Sequence, residues 1–173
     1  MLIYNLRENF CTAKETIFLL TINKLKKEAF KFRGLLEKCD KSKTELVPDC
    51  FPIMSCKISS MLLSYHFLKL WPELEVKGIS AIAEKNDQIT HYWLEIDEIV
   101  IDITGDQYNL IKGSELNKEI VSNRPFKAVH VSNKMKVIYM TFSNFEKVNY
   151  SCTVFLQSMK VLLRIWSLIT ISS

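Results

Sequence analysis

Ile89-Thr90-His91-Tyr92-Trp93-Leu94-Glu95-Ile96-Asp97-Glu98-Ile99-Val100-Ile101-Asp102-Ile103-Thr104 is the stretch that decides how this chain folds. Two runs with strand character, residues 89–96 and 99–104, are separated by Asp97-Glu98 alone, the spacing of a two-residue hairpin. With that turn every facing pair sums to 195, so Ile96 faces Ile99, Trp93 faces Asp102 and His91 faces Thr104. His91, Trp93, Asp102 and Thr104 then share one side of the sheet. His91 and Asp102 become diagonal neighbours, roughly 7 Å apart at the backbone and within side-chain reach. An aspartate inside the apolar run Ile99 to Ile103 is costly to bury without a partner, and a histidine is a suitable one. The carboxylate fixes the ring's tautomer, which leaves the other nitrogen to take a proton from a thiol. Taken singly, each residue has a plainer reading: His91 as a hydrogen-bonded strand residue, Asp102 as a cap for Thr104-Gly105-Asp106.

The thiol is sought upstream, in Phe51-Pro52-Ile53-Met54-Ser55-Cys56-Lys57-Ile58-Ser59-Ser60-Met61-Leu62-Leu63-Ser64-Tyr65. Ile58, Met61, Leu62, Tyr65 and Leu68 follow a helical period, and Pro52 and Ser55 supply start signals. Cys56 falls in the first turn, where free backbone N–H groups and the helix dipole favour a thiolate. A second face, Cys56, Ser59, Ser60, Leu63 and Phe67, is small near the cysteine and open to close approach. A buried, inert core thiol is the plain alternative. If this helix packs over the side of the sheet that carries His91 and Asp102, the parts of an activated thiolate are present.

Phe51-Pro-x-x-x-Cys56-x-x-x-Ser60-x-x-Leu63, His91-x-Trp93-x-Glu95 and Ile101-Asp102-Ile103-Thr104-x-Asp106-Gln107-Tyr108 together resemble the transglutaminase-like branch of the papain-like cysteine hydrolases. The lasso-peptide leader peptidases and several bacterial families look similar at these positions. The resemblance spans about Phe51 to Tyr108, a third of the chain. It implies an α+β fold in which a nucleophile-bearing helix packs on an antiparallel sheet of about five strands, with helices flanking the core at both ends. It further implies Cys56 as nucleophile, His91 as base and acid, Asp102 as orienter, and a peptide or protein substrate. Ser55 stands where the resemblance leads one to expect glycine, and Lys57 where a small or aromatic residue is expected. No glutamine precedes Cys56 to act as an oxyanion donor, so the Cys56 N–H needs a second donor. Gln107 can be read as that donor or, more simply, as a residue that hydrogen-bonds a turn.

The remaining chain supports one domain, residues 1–173, with an N-terminal helical region over 1–45, a core over 51–142 and a C-terminal helix over 150–171. Phe18, Ile22, Leu25, Ala29, Phe32 and Leu36 step by four and three, an apolar helical seam. Lys24, Lys26, Lys27, Lys31 and Arg33 are read as a solvated face of that helix. Leu74 to Ala83 is expected as a strand with a bulge at Gly78, and one short helix is expected after Ser114. Phe126 to Val131 and Lys136 to Phe142 are expected to pair as a hairpin.

A hydrophobic content of 48% over 173 residues is enough for a sizeable core and argues against disorder. The net charge of +4 is too mild to indicate nucleic-acid binding. Five cysteines without close pairs point to a reducing, cytoplasmic setting. Met1 to Asn9 shows no basic run ahead of a sustained apolar stretch, and Gln157, Lys160 and Arg164 interrupt the apolar C-terminal segment, so neither a signal peptide nor a membrane span is expected. Cys50, Cys56, His66 and His91 lack zinc-site spacing, and no metal or other cofactor is expected. A second reading keeps the fold but not the chemistry: a protein-interaction module that docks through its terminal helices.

Overall fold

The computed structural model describes residues 22–44, 46–82, 90–133 and, as backbone, 143–150. Helix α1 occupies 22–38 and α2 is Cys56–Leu70. Strands β1 (Val76–Ile82), β2 (Thr90–Ile96) and β3 (Ile99–Asp102) follow, then short helices α3 (Gln107–Leu110) and α4 (Lys118–Ser122), and strands β4 (His130–Asn133) and β5 (Ser143–Tyr150). The sheet is antiparallel throughout, in the order β4-β3-β2-β1-β5, so the architecture is α+β.

The hairpin forms in the expected register. Ile96 pairs with Ile99, Glu95 with Val100 and Leu94 with Ile101, and the ladder ends there. Asp97 turns the corner at φ 50°, a left-handed conformation that aspartate tolerates better than most residues. Because side chains alternate along a strand, the two sides of the sheet carry two separate cores. Leu94, Ile96, Ile99 and Ile101 join Leu62, Leu63, Phe67 and Leu68 of α2 and Leu25, Ala29, Phe32 and Leu36 of α1. Ile79, Ala81, Trp93 and Val100 meet Tyr108, Leu116 and Ile120 on the other side. Both faces are covered, which is why Ile99-Val100-Ile101 reads as a continuous apolar run rather than an alternating one.

The seam of α1 lies in the core as its period implies, but the basic face beside it is not uniform. Arg33 is only 6% exposed. Its guanidinium grips both carboxylate oxygens of Asp106 at 2.8 and 3.0 Å, donates to the Ile103 carbonyl at 2.6 Å and lies 4.4 Å from the centre of the Phe51 ring. It therefore ties α1 to the loop entering α2 and to the loop leaving β3.

In α2 the deeper face is the one through Cys56, Ser59, Ser60, Leu63 and Phe67, whereas Ile58, Met61 and Tyr65 are only partly buried. The small serines let the helix lie close to β2, and the Ser60 hydroxyl donates to the Tyr92 carbonyl at 3.2 Å. Ser55 occupies the N-cap, yet its hydroxyl turns back to the Pro52 carbonyl at 2.7 Å instead of capping the first turn.

Three further expectations change. The irregularity in β1 falls between Ser80 and Ile82, where β5 shifts register, and not at Gly78. Residues 130–133 form the strand expected over 126–131, and it pairs with β3; the expected partner over 136–142 lies outside the described residues. Tyr150, the first residue of the expected C-terminal helix, pairs with Val76 at the end of β5. The rest of that helix and residues 1–21 lie outside the described residues. Among the described residues no helix is long and apolar enough to cross a membrane.

Candidate functional site

The site lies at the end of the sheet where β2 begins. α2 packs on the side of Leu94 and Ile96, whereas His91 and Asp102 point to the opposite side, so the helix does not cover them as the sequence suggested. Its N-terminus compensates. Because α2 starts level with Thr90, Cys56 sits beyond the last β2–β3 pair, with its sulfur 3.9 Å from the Thr90 carbonyl and in hydrogen-bonding reach of His91 and Gln107.

His91 is fully enclosed, with Tyr108 edge-on at 5.0 Å between ring centres and Trp93 at 5.7 Å. Its Nε2 lies 2.7 Å from Asp102 Oδ2. The other Asp102 oxygen accepts from the Thr104 N–H at 2.8 Å and the Thr104 hydroxyl at 3.2 Å. Asp102 thus serves both readings at once, capping Thr104 and holding the histidine. With Nε2–H committed to the carboxylate, Nδ1 is the nitrogen left for the thiol. Nδ1 also lies 3.0 Å from Gln107 Nε2.

The electrostatics follow from these contacts. Burial alone drives His91 toward the neutral form, but the charge and hydrogen bond of Asp102, followed by those of Cys56, carry its pKa up to about 10. Burial likewise pushes the Cys56 thiol up, and the hydrogen bond and charge of His91 outweigh it, with Gln107 assisting, so its pKa is lowered. The pair favours thiolate and imidazolium. The first-turn N–H groups of α2 have no intrahelical partner and lie beside the sulfur.

The side chain of Gln107 is in the site and does not serve the turn. The turn Thr104-Gly105-Asp106 closes with backbone bonds of its own, from Gln107 N to Thr104 O and from Tyr108 N to Gly105 O, which brings the Gln107 side chain back toward His91. Arg33, read from the sequence as part of a solvated face, lies instead beside the loop that carries Gln107, bonded to Ile103 O and Asp106. The available signal was its spacing: position 33 is four residues beyond Ala29 and three before Leu36, at the margin of the apolar seam.

No family model, curated protein or solved structure matches this chain.

His66 lies far down α2, bonded to Glu28 at 3.3 Å, and His130 bonds to Ser132 at 2.7 Å; neither reaches the sulfur. Among the described residues no cluster of histidine, cysteine and acidic side chains converges as metal ligands would.

Proposed function

We propose that this protein is a cysteine-dependent amide hydrolase or acyl transferase, of the peptidase, deamidase or transglutaminase type, acting on a peptide or protein. In this reading the fold is of the transglutaminase-like and papain-like kind, with Cys56 as nucleophile, His91 as base and acid and Asp102 as orienter. The observation that carries it is the unbroken relay from the Cys56 sulfur through the His91 ring to the enclosed Asp102 carboxylate.

His91 Nδ1 takes the thiol proton, and the thiolate adds to the substrate carbonyl carbon. The tetrahedral intermediate collapses, the carbon–nitrogen bond breaks and the leaving amine receives the proton from His91. The remaining thioester is resolved by water in a peptidase or deamidase, or by a second amine in a transglutaminase. Cys39, Cys50 and Cys56 are free thiols, which suits a reducing, cytoplasmic setting.

The test is the rate of iodoacetamide modification of each cysteine against pH, read by mass spectrometry, in wild type and His91→Ala. Cys56 is expected to react fastest near neutral pH, with an apparent pKa well below the ordinary thiol value of about 8.5. That advantage should disappear in His91→Ala. A Cys56 that reacts at pH 7 no faster than the exposed Cys50 in both proteins rules the proposal out.

A further inference from the structure

We infer that Gln107 is the oxyanion donor of the reaction proposed above, on which this assignment rests. Its side chain is buried, at 4% exposure, and its amide approaches both the His91 Nδ1 and the Cys56 sulfur. Two donors therefore converge on one sulfur, the ring N–H and the amide N–H. In the neutral pair the amide donates to Nδ1; once Nδ1 carries the proton, it donates to the thiolate instead.

The course of the reaction then decides its role. As the sulfur–carbon bond forms, the sulfur's electron pair becomes the new bond and the carbonyl π pair moves onto oxygen. Negative charge leaves the sulfur for an atom two bonds away. An amide already aimed at the thiolate needs only a small shift to follow it, and the Cys56 backbone N–H, which has no intrahelical partner at the first position of α2, supplies the second donor. When the intermediate collapses, the π bond re-forms and the leaving group departs with its electron pair.

Two reagents separate this role from simple thiolate stabilisation. Iodoacetamide alkylates sulfur by displacing iodide and forms no oxyanion. p-Nitrophenyl acetate acylates the same sulfur through a tetrahedral oxyanion and releases p-nitrophenolate. The informative quantity is the ratio of acylation to alkylation rates at Cys56, each taken on its high-pH plateau, with exposed Cys50 as an internal reference for an ordinary thiol. Gln107→Met keeps the buried volume and removes the donor, and Gln107→Ala is a second variant should one of them fold poorly.

In wild type the ratio at Cys56 is expected to exceed that at Cys50. In either variant it should fall about 100-fold, the usual effect of losing one oxyanion donor, while the plateau alkylation rate changes little. A ratio that stays at the wild-type value, with Cys56 still reactive, overturns the assignment of Gln107 and leaves the proposed function standing. A wild-type Cys56 without any reactivity advantage removes both.

Discussion

The carboxylate of Asp102 meets the ring of His91 at 2.7 Å, and both side chains are completely enclosed. The contact joins two residues eleven apart in sequence, across the open end of a hairpin whose last ladder pair is Leu94 with Ile101. Asp102→Asn keeps the shape and removes the charge. The Thr104 cap can persist through the amide oxygen, but the charge that holds the imidazolium does not. Alkylation of Cys56 at pH 7 is expected to slow at least about tenfold, because one pKa unit corresponds to about 1.4 kcal/mol and an adjacent charge is worth one to three units. An unchanged pH profile in Asp102→Asn would deny the carboxylate any electrostatic role.

Stability should vary with pH in a direction that the two shifts fix. His91 is raised from 6.5 to about 10, so its charge contributes stability that is complete below pH 6.5 and is lost as pH rises through about 10. Cys56 is lowered from 9.0, so its contribution is complete above pH 9.0 and is lost as pH falls through the lowered value. Cys56→Ala isolates the first effect, since Asp102 still raises His91. Urea midpoints of Cys56→Ala and of Cys56→Ala combined with His91→Gln should therefore draw together as pH rises above 6.5, over a range that ends below 10 because the share of the rise due to Cys56 is gone. A constant gap across that range would contradict the raised histidine.

Arg33→Met is expected to cost about 3 kcal/mol or more in urea unfolding, because it leaves the Asp106 carboxylate and the Ile103 carbonyl without their buried partner. Arg33→Lys preserves the charge but not the fork, so it should lose much of the same stability. Asp106→Asn combined with Arg33→Lys should be less damaging than the sum of the two, since both break one interaction. Additive losses would mean that the fork is not the unit.

Ser60 gives a contrast of size. Ser60→Ala removes one hydrogen bond to the Tyr92 carbonyl and should cost about 1 kcal/mol. Ser60→Leu must push α2 away from β2 and should cost about 1–3 kcal/mol. The shift also moves Cys56 away from His91, so Ser60→Leu is expected to lower the Cys56 alkylation rate at pH 7 far more than Ser60→Ala does. Equal rates in the two variants would show that the helix is not held at a fixed depth.

Local pattern carried the hairpin register, the buried seam from Leu25 to Leu36 and the meeting of His91 with Asp102, because each depends on residues close in sequence and on a fixed period. The side of the sheet chosen by α2 was not legible. Its deep face is built from cysteine and serines, which read as polar although they are what allows close packing. Arg33 was hidden for a related reason: its burial depends on Asp106, 73 residues away, and nothing local marks that pairing. β5 was missed because its place in the sheet rests on contact with β1 and leaves no local signature. Gln107 was visible as a residue, but its orientation is set by the turn that precedes it.

The place of β5 in the sheet also bears on how the protein is made. Residues 56–107 contain Cys56, His91, Asp102 and Gln107, so that group can be complete while the chain is still growing. β1 lies between β2 and β5, and until Ser143–Tyr150 emerge its outer backbone groups have no strand to bond. For that interval the nascent chain presents an unsatisfied strand edge, which a second nascent chain of the same sequence is well suited to fill. Pairing with β5 satisfies the outer backbone groups of β1 and makes β5 the last strand of the sheet on that side.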